Sequence, residues 1–493
     1  MKLFNRKIYM MAKEFMYKNL SEPMTDQSDK KLAESFSPFE EKMRSAGFNE
    51  IVIETFRHHY DELLRGKTGF LSRSEIDPVE KVPDLEALKD YSQSGLVAIR
   101  KAVTIKLNGG LGTGMGMEKA KSLLEVKHGL SFLDIIARQA LHARKKYQCD
   151  LPLVLMNSFS TRNDSLAALE KYPELKSPIP PDFLQHKVPK IDQHTLKPIA
   201  WRSNPELEWC PPGHGDIYIA LATSGMLDNL LHKGYEYAFI SNVDNLGAVM
   251  DIQILGYFAA QKLPFMMEVA DRTEADRKGG HLARLTNGNL TLRELAQCPE
   301  DEQEAFQDIT LYNYFNTNTL WVNLISLKDL LDKTSGRLFL PLICNRKTVD
   351  PRDNSSPKVF QLETAMGSAI AAFPGAQALR VPRTRFAPVK ACVDLLGLWS
   401  DAYIVTEDSQ VIQNPKRTLG QIVIELDPRY YTLFNEMKAR FPQGAPSLIE
   451  CRKLVVEGDV CFGRNVKIRG HVRISNSNET QLLIPDGEVI EGI

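Results

Sequence analysis

The run Ala102-Val103-Thr104-Ile105-Lys106-Leu107 passes directly into Asn108-Gly109-Gly110-Leu111-Gly112-Thr113-Gly114-Met115-Gly116, and this junction narrows the folds open to the chain more than any other segment. β-Branched and apolar residues stopped by glycine predict a buried strand with an abrupt end. The glycines after it let main-chain amides come close to an anionic or planar ligand, although a flexible surface turn has the same composition. The dinucleotide spacing G-x-G-x-x-G is absent, and the Walker pattern fails because Lys121-Ser122 follow Ala120.

Strand and helix patterns alternate after this loop. Helices are predicted near 131–147, 161–171, 216–232 and 251–262, with strands at Leu153–Met156 and Tyr237–Ser241. Asp216 and Asp251 are read as helix N-caps. This order predicts a mainly parallel sheet with helices on both faces and ligands beyond the carboxyl ends of the strands. Upstream, Phe48, Ile51, Val52, Phe56 and Tyr60 recur at helical spacing, predicting a helical preamble that ends near Gly66. The last 43 residues change period. Leu454, Val460, Val466 and Val472 form one six-residue series and Val456, Phe462, Ile468 and Ile474 a second, which predicts the coils of a parallel β-helix, although a pair of ordinary hairpins would give some of the same matches.

Lysine plus arginine number 61 against 62 aspartate plus glutamate, so no global field recruits nucleic acid or an acidic membrane surface, and any polyanion site must be local. No apolar run approaches the roughly 18 residues of a membrane span. The seven cysteines are scattered without a Cys-x-x-Cys pair, which fits reduced thiols in a cytoplasmic setting. The opening Met1–Leu20 is basic, but its apolar run Ile8–Ala12 is too short for a secretory signal. An organelle targeting segment stays open, with Glu14 and the lack of serine before Ser21 against it.

Lys106 to Gly116 followed by Lys121-Ser122 resembles the eukaryotic-type UTP–glucose-1-phosphate uridylyltransferase family. Further blocks resemble that family in order: Asn157-Ser158-Phe159, Pro211 to Asp216, Ser241 to Gly247, Lys278-Gly279-Gly280, Phe315 to Asn318, Glu363 to Gly367 and Val381 to Lys390. The resemblance implies an α/β fold: a Rossmann-like nucleotidyltransferase core with a mixed or mainly parallel sheet, an N-terminal helical region and a C-terminal left-handed β-helix. We expect divisions at 1–100, 101–400, 401–450 and 451–493 for helical region, core, connecting segment and β-helix. It also implies transfer of uridylyl from UTP to glucose 1-phosphate, giving UDP-glucose and pyrophosphate with Mg²⁺. Association into a homo-oligomer through the β-helix is a further expectation, although Glu491-Gly492-Ile493 stops short of the tail many relatives use for it.

Residue by residue, the resemblance assigns Lys121 and Lys390 to the triphosphate and Asp244 to the metal. Leu107, Asn108, Gly109, Gly110, Gln185 and Gly213 would hold UTP, while His214, Asn242, Gly280 and Asn316 would hold the sugar phosphate. The chemistry suits these residue types. The attacking phosphate oxygen is already ionised, so positioning and charge neutralisation dominate and no general base is needed. Asn242 and Asp244 are expected on one side of an extended chain; Arg380, Arg383 and Arg385 add positive charge near Lys390 as supporting groups, although alternate arginines also mark the exposed face of a strand. The chain departs from the family at Glu118-Lys119-Ala120, where Gly-Pro is usual, which makes Lys119 a rival to Lys121. Two other readings remain open: the same chemistry on another sugar 1-phosphate, and a nucleotide-sugar sensor without turnover.

Overall fold

Every position of the Ala102–Asn108 strand is buried, because it runs through the middle of a ten-stranded sheet. The computed structural model describes residues 26–66, 69–117 and 119–492, so the reading of the basic opening lies outside the described residues. Four strands lie side by side and parallel: Tyr237–Asn242, Ala102–Asn108, Leu153–Asn157 and Asp182–Leu184. The sheet is mixed beyond them, since Tyr314–Asn323 runs antiparallel to both Tyr237–Asn242 and Phe265–Asp271. The register aligns Asn242 with Leu107, Asn108 with Asn157 and Asn157 with Leu184, so one carboxyl edge carries most of the residues singled out above. Ligands of open α/β sheets bind along such an edge.

The helices follow from local chemistry. Phe132–Tyr147 begins where the Ser131 hydroxyl accepts the Asp134 amide and the Asp134 carboxylate accepts the Ser131 amide. Its apolar face, with Leu133, Ile136 and Ala140, is buried, and it ends at Gln148 in a left-handed conformation. Asp251 caps the helix Ile252–Ala260 through the Ile254 amide, as predicted. The continuous helix expected at 216–232 is instead two, Ile217–Thr223 and Met226–His232, broken at Gly225 with φ +74°. Asp216 does stand at the N-cap position of Ile217–Thr223, but its side chain makes no capping bond; its carboxylate accepts the His186 amide and faces the His186 Nδ1.

The preamble forms two helices, Asp26–Ser45 and Glu50–Leu64, whose Phe36, Phe39, Phe56 and Tyr60 enter the same hydrophobic core as the central strands. At the other end, Leu454 pairs with Val472 and Val456 with Ile474 in parallel register, eighteen residues on. One coil is therefore three hexads long. The side chains of both hexad series are buried, and the polar break after Ser475 lengthens the next step, so that Val460 meets Leu482 and Ile468 meets Ile490. This coil shares its apolar core with Met115 of the glycine loop and with Phe132, Ile135 and Ile136 of the helix behind it.

Candidate active site

The site is built around Asp244. The strand Tyr237–Asn242 does not continue in extended form; the Asn245 amide bonds back to the Asn242 carbonyl at 3.2 Å, so Asp244 sits in a turn. Asn242 and Asp244 thus do not share a side by strand alternation, contrary to the sequence expectation. The glycine loop folds toward this turn, with Gly112 at φ +68° and the Lys121 amide on the Gly110 carbonyl at 3.1 Å. Lys121 then places its Nζ 2.7 Å from Asp244 Oδ2, a partly buried pair. Ala120 before it is fully buried and Lys119 is exposed, so of the two rival lysines Lys121 is the one that meets Asp244.

The segment that leads into Lys390 packs on the same turn. The Val389 amide donates to the Asp244 carbonyl at 3.1 Å, and Asn245 pairs with Pro388. The buried Asn245 side chain staples the two segments, accepting the Ala387 amide at 3.0 Å and donating to the Arg385 carbonyl at 3.2 Å. Beneath the turn, the buried ammonium of Lys106 holds Ser241 Oγ at 2.7 Å and the Ala248 carbonyl at 2.8 Å. Burial, aided by the neighbouring Arg385 and opposed by Glu268, lowers its pKa to about 7. Sequence reading treated Lys106 as part of a motif and missed this bracing role, which only the packing shows.

The arginines are not free positive charge. Arg385 is buried on Glu268, donating from Nε and Nη2 at 2.7 Å each. Arg380 pairs with Asp84 and Asp271, and Arg383 with Asp276 at 2.7 Å. Each is committed to a carboxylate, so none of the three is left as free supporting charge for Lys390.

On the side of Gln185, its Nε2 donates to the Gly213 carbonyl at 2.8 Å, and a methyl on Gly109 would stand 2.5 Å from Gln185 Oε1. The glycine loop, Gln185 and the 211–216 loop therefore meet. Asn108 is turned inward: its Nδ2 donates to Asn157 Oδ1 and Ser165 Oγ, both at 2.7 Å. Its side chain ties its strand to the next strand and to a helix, and Leu107 is buried in the sheet as well, so only Gly109 and Gly110 leave the interior at this point of the loop. His214 accepts the Met366 amide at Nδ1, 2.9 Å away, which puts the proton of the neutral ring on Nε2. Burial and the charge of Lys390 lower its pKa to about 4, so it is a neutral donor at pH 7.

On the opposite side, the Asn316 amide donates to the Gly280 carbonyl at 3.1 Å. A methyl on Gly280 would lie 2.6 Å from the Glu294 carboxylate. Burial raises the pKa of Glu294, with Lys390 acting against it. Asn316, Gly280, Glu294 and Lys390 thus border one region. Glu294 is the residue sequence reading missed, since nothing in Leu292-Arg293-Glu294 marks it until the fold lays Gly280 against it. Asn316 itself is held by Asn318, whose amide it accepts at 2.8 Å.

No group of three or more His, Cys, Asp or Glu side chains is poised for a metal ion among the described residues. The donor set at the turn is the single carboxylate of Asp244. That fits Mg²⁺, which is commonly held by one or two carboxylates together with water and substrate phosphate oxygens, and it does not fit a metal needing a full protein cage.

Residues 53–469 match the family model described as UTP–glucose-1-phosphate uridylyltransferase. The chain is 43% identical over 459 residues to a Solanum tuberosum protein of that name, covering 91% of this chain and 94% of the relative. A Schizosaccharomyces pombe relative, named as a probable enzyme of the same kind, is 38% identical over 88% of this chain and 85% of its own length. Among solved structures, a variant of the UDP-glucose pyrophosphorylase of Leishmania major in complex with UDP-glucose superposes with a TM-score of 0.87 at 44% identity, covering 93% of this chain and 98% of the other. The Trypanosoma brucei UDP-glucose phosphorylase gives 0.86 at 44% identity over the same shares.

Proposed function

The chain belongs to the UTP–glucose-1-phosphate uridylyltransferase family, and from that premise we propose how its residues transfer uridylyl from UTP to glucose 1-phosphate, releasing pyrophosphate. The observation that carries the proposal is the meeting of Lys121 and the Lys390 segment on Asp244. Two phosphorylated reactants repel one another; the ammonium of Lys121 stands on the turn, Lys390 follows the main chain that packs beside it, and the two positive charges would offset that repulsion where the reacting phosphates meet.

A phosphate oxygen of glucose 1-phosphate attacks the α-phosphorus of UTP in line. A new phosphorus–oxygen bond forms as the α–β bridging bond breaks and pyrophosphate departs with its electron pair. One phosphoanhydride replaces another, so the reaction is readily reversible. Gln185, Gly109, Gly110 and Gly213 orient the base and ribose of UTP, with the main chain of Leu107 and Asn108 carrying the loop. Neutral His214 donates from Nε2 to the sugar phosphate. Asn242, Gly280, Asn316 and Glu294 bind the hexose hydroxyls. Asp244 would hold Mg²⁺, which when bound supplies charge neutralisation at the phosphates. Lys121 shifts from that carboxylate to the triphosphate.

The left-handed sense of the C-terminal coil is proposed on its three-hexad period. Self-association through its last coils is supported by exposed Leu482, Leu483 and Val489, and a cytoplasmic setting by seven free thiols. No helix among the described residues is long and apolar enough to cross a membrane. The division at 1–100, 101–400, 401–450 and 451–493 is proposed on the change of element type along the chain. The test of function is a panel of sugar 1-phosphates assayed with UTP and Mg²⁺ for pyrophosphate release. Glucose 1-phosphate is expected to lead. A strong preference for an N-acetylated sugar, or binding of UDP-glucose without turnover, would overturn the reading.

A further inference from the structure

We propose that Arg383 and Asp276 form a latch that holds the Lys278-Gly279-Gly280 loop against the Lys390 segment, making Arg383 a positioning residue for the sugar 1-phosphate. The inference rests on the function proposed above and adds a residue pair to it. The two segments stand more than a hundred residues apart in sequence, and the strands that lead into them pair in parallel only as far as Val269 and Arg380. Arg383 carries that junction on to the loop: Nη1 donates to Asp276 Oδ2 at 2.7 Å and to the Asp271 carbonyl at 3.0 Å.

Asp276 is itself fixed, because its Oδ2 also accepts the Thr273 amide at 2.9 Å and the Thr273 hydroxyl at 2.7 Å. The pair is partly buried, with Asp276 11% and Arg383 29% exposed. The same guanidinium lies 5.1 Å from the ring centre of Phe315 and 5.9 Å from that of Phe386, two rings that meet edge to face at 4.7 Å. Phe315 precedes Asn316, and Phe386 begins the approach to Lys390. From Asp276 the position passes on through the Gly279 amide, which donates to the Asp276 carbonyl at 2.8 Å, and through the Gly280 carbonyl, which accepts the Asn316 amide. Of the neighbouring arginines, Arg380 also joins the two parts of the chain through Asp271, together with Asp84 and Glu86, but makes no bond to Asp276, and Arg385 anchors Glu268 within the core. A lysine would keep the charge and lose the planar contact with both rings.

The experiment is steady-state kinetics on the full-length enzyme with UTP and glucose 1-phosphate, for Arg383→Ala, Arg383→Lys, Asp276→Asn and the Arg383→Ala/Asp276→Asn double variant, each checked by thermal unfolding. The KM for glucose 1-phosphate is expected to rise about tenfold in either single variant with the KM for UTP within about twofold of wild type, and Arg383→Lys should fall between. The double variant should be no worse than the worse single one, because both remove the same contact. Should Arg383→Ala not fold, Arg383→Lys and Asp276→Asn with their double variant form the same cycle. Equal changes in both KM values, additive losses, or unchanged kinetics would overturn the latch. An inactive wild type would overturn the functional reading beneath it, and an active wild type with indifferent variants would overturn the latch alone.

Discussion

A methyl group added at Gly213 and one added at Gly110 should fail in different ways. Gly213 has φ +80°, a conformation that costs an alanine about 1–3 kcal/mol. Its new Cβ would stand 2.6 Å from the Thr364 amide nitrogen and 3.0 Å from the Glu363 Cβ, and would also press on the Thr364 carbonyl oxygen. The two Thr364 atoms are backbone, so restoring van der Waals distance requires a shift of about 1 Å, and a misplacement of about 1 Å at a catalytic site costs on the order of a hundredfold in rate. The shift would carry the Gly213 carbonyl away from Gln185 Nε2. Gly213→Ala should therefore lower both the melting temperature and turnover. At Gly110 nothing lies within 4 Å of the added Cβ and φ is not positive, so Gly110→Ala should melt like wild type. It should nevertheless raise the KM for UTP by about tenfold or more, since the added methyl would occupy space the triphosphate needs. Thermal unfolding and initial-rate assays on both variants decide. A Gly110→Ala enzyme with wild-type KM for UTP would refute the placement of the triphosphate against this loop. A Gly213→Ala enzyme unchanged in melting and rate would refute the packing argument.

Lys390→Ala should reduce turnover about a hundredfold or more while UDP-glucose affinity, read by calorimetry, changes far less; near-normal turnover would remove Lys390 from the site. Lys121→Met should be as damaging and Lys119→Met nearly silent in the same assay, and the reverse order would reassign the phosphate contact. Glu294→Gln should raise the KM for glucose 1-phosphate about tenfold and leave that for UTP unchanged; an unaltered sugar KM would exclude Glu294 from hexose binding. Stability should also depend on pH. Burial lowers His59 to about 4 and His281 to about 3, both below the ordinary value near 6.5. The unfolded chain therefore binds more protons as pH falls below that value, so stability should be full above about pH 6.5 and decline toward pH 4. Denaturant titrations at pH 7.5 and 5 should show the loss, and His59→Gln should flatten it; a pH-independent midpoint would contradict the buried, neutral imidazoles.

Local periodicity determined a good deal of this protein. The strand at Ala102–Asn108, the capped helix at 252–260 and the eighteen-residue coil of the C-terminus follow from spacing along the chain, because side-chain direction in a strand, helix or coil repeats over a few residues. The same spacing missed the break at Gly225 and the turn at Asp244, where one residue's backbone conformation overrides the pattern. Tertiary structure alone decided the chemistry of the site. It joined Lys121 to Asp244 and the Lys390 segment to that same turn, laid Glu294 beside Gly280, turned the amide of Asn108 into the sheet and matched three arginines with carboxylates. Those pairings bridge from about 15 to nearly 300 positions, and their energies depend on burial and distance, which no local window of sequence contains.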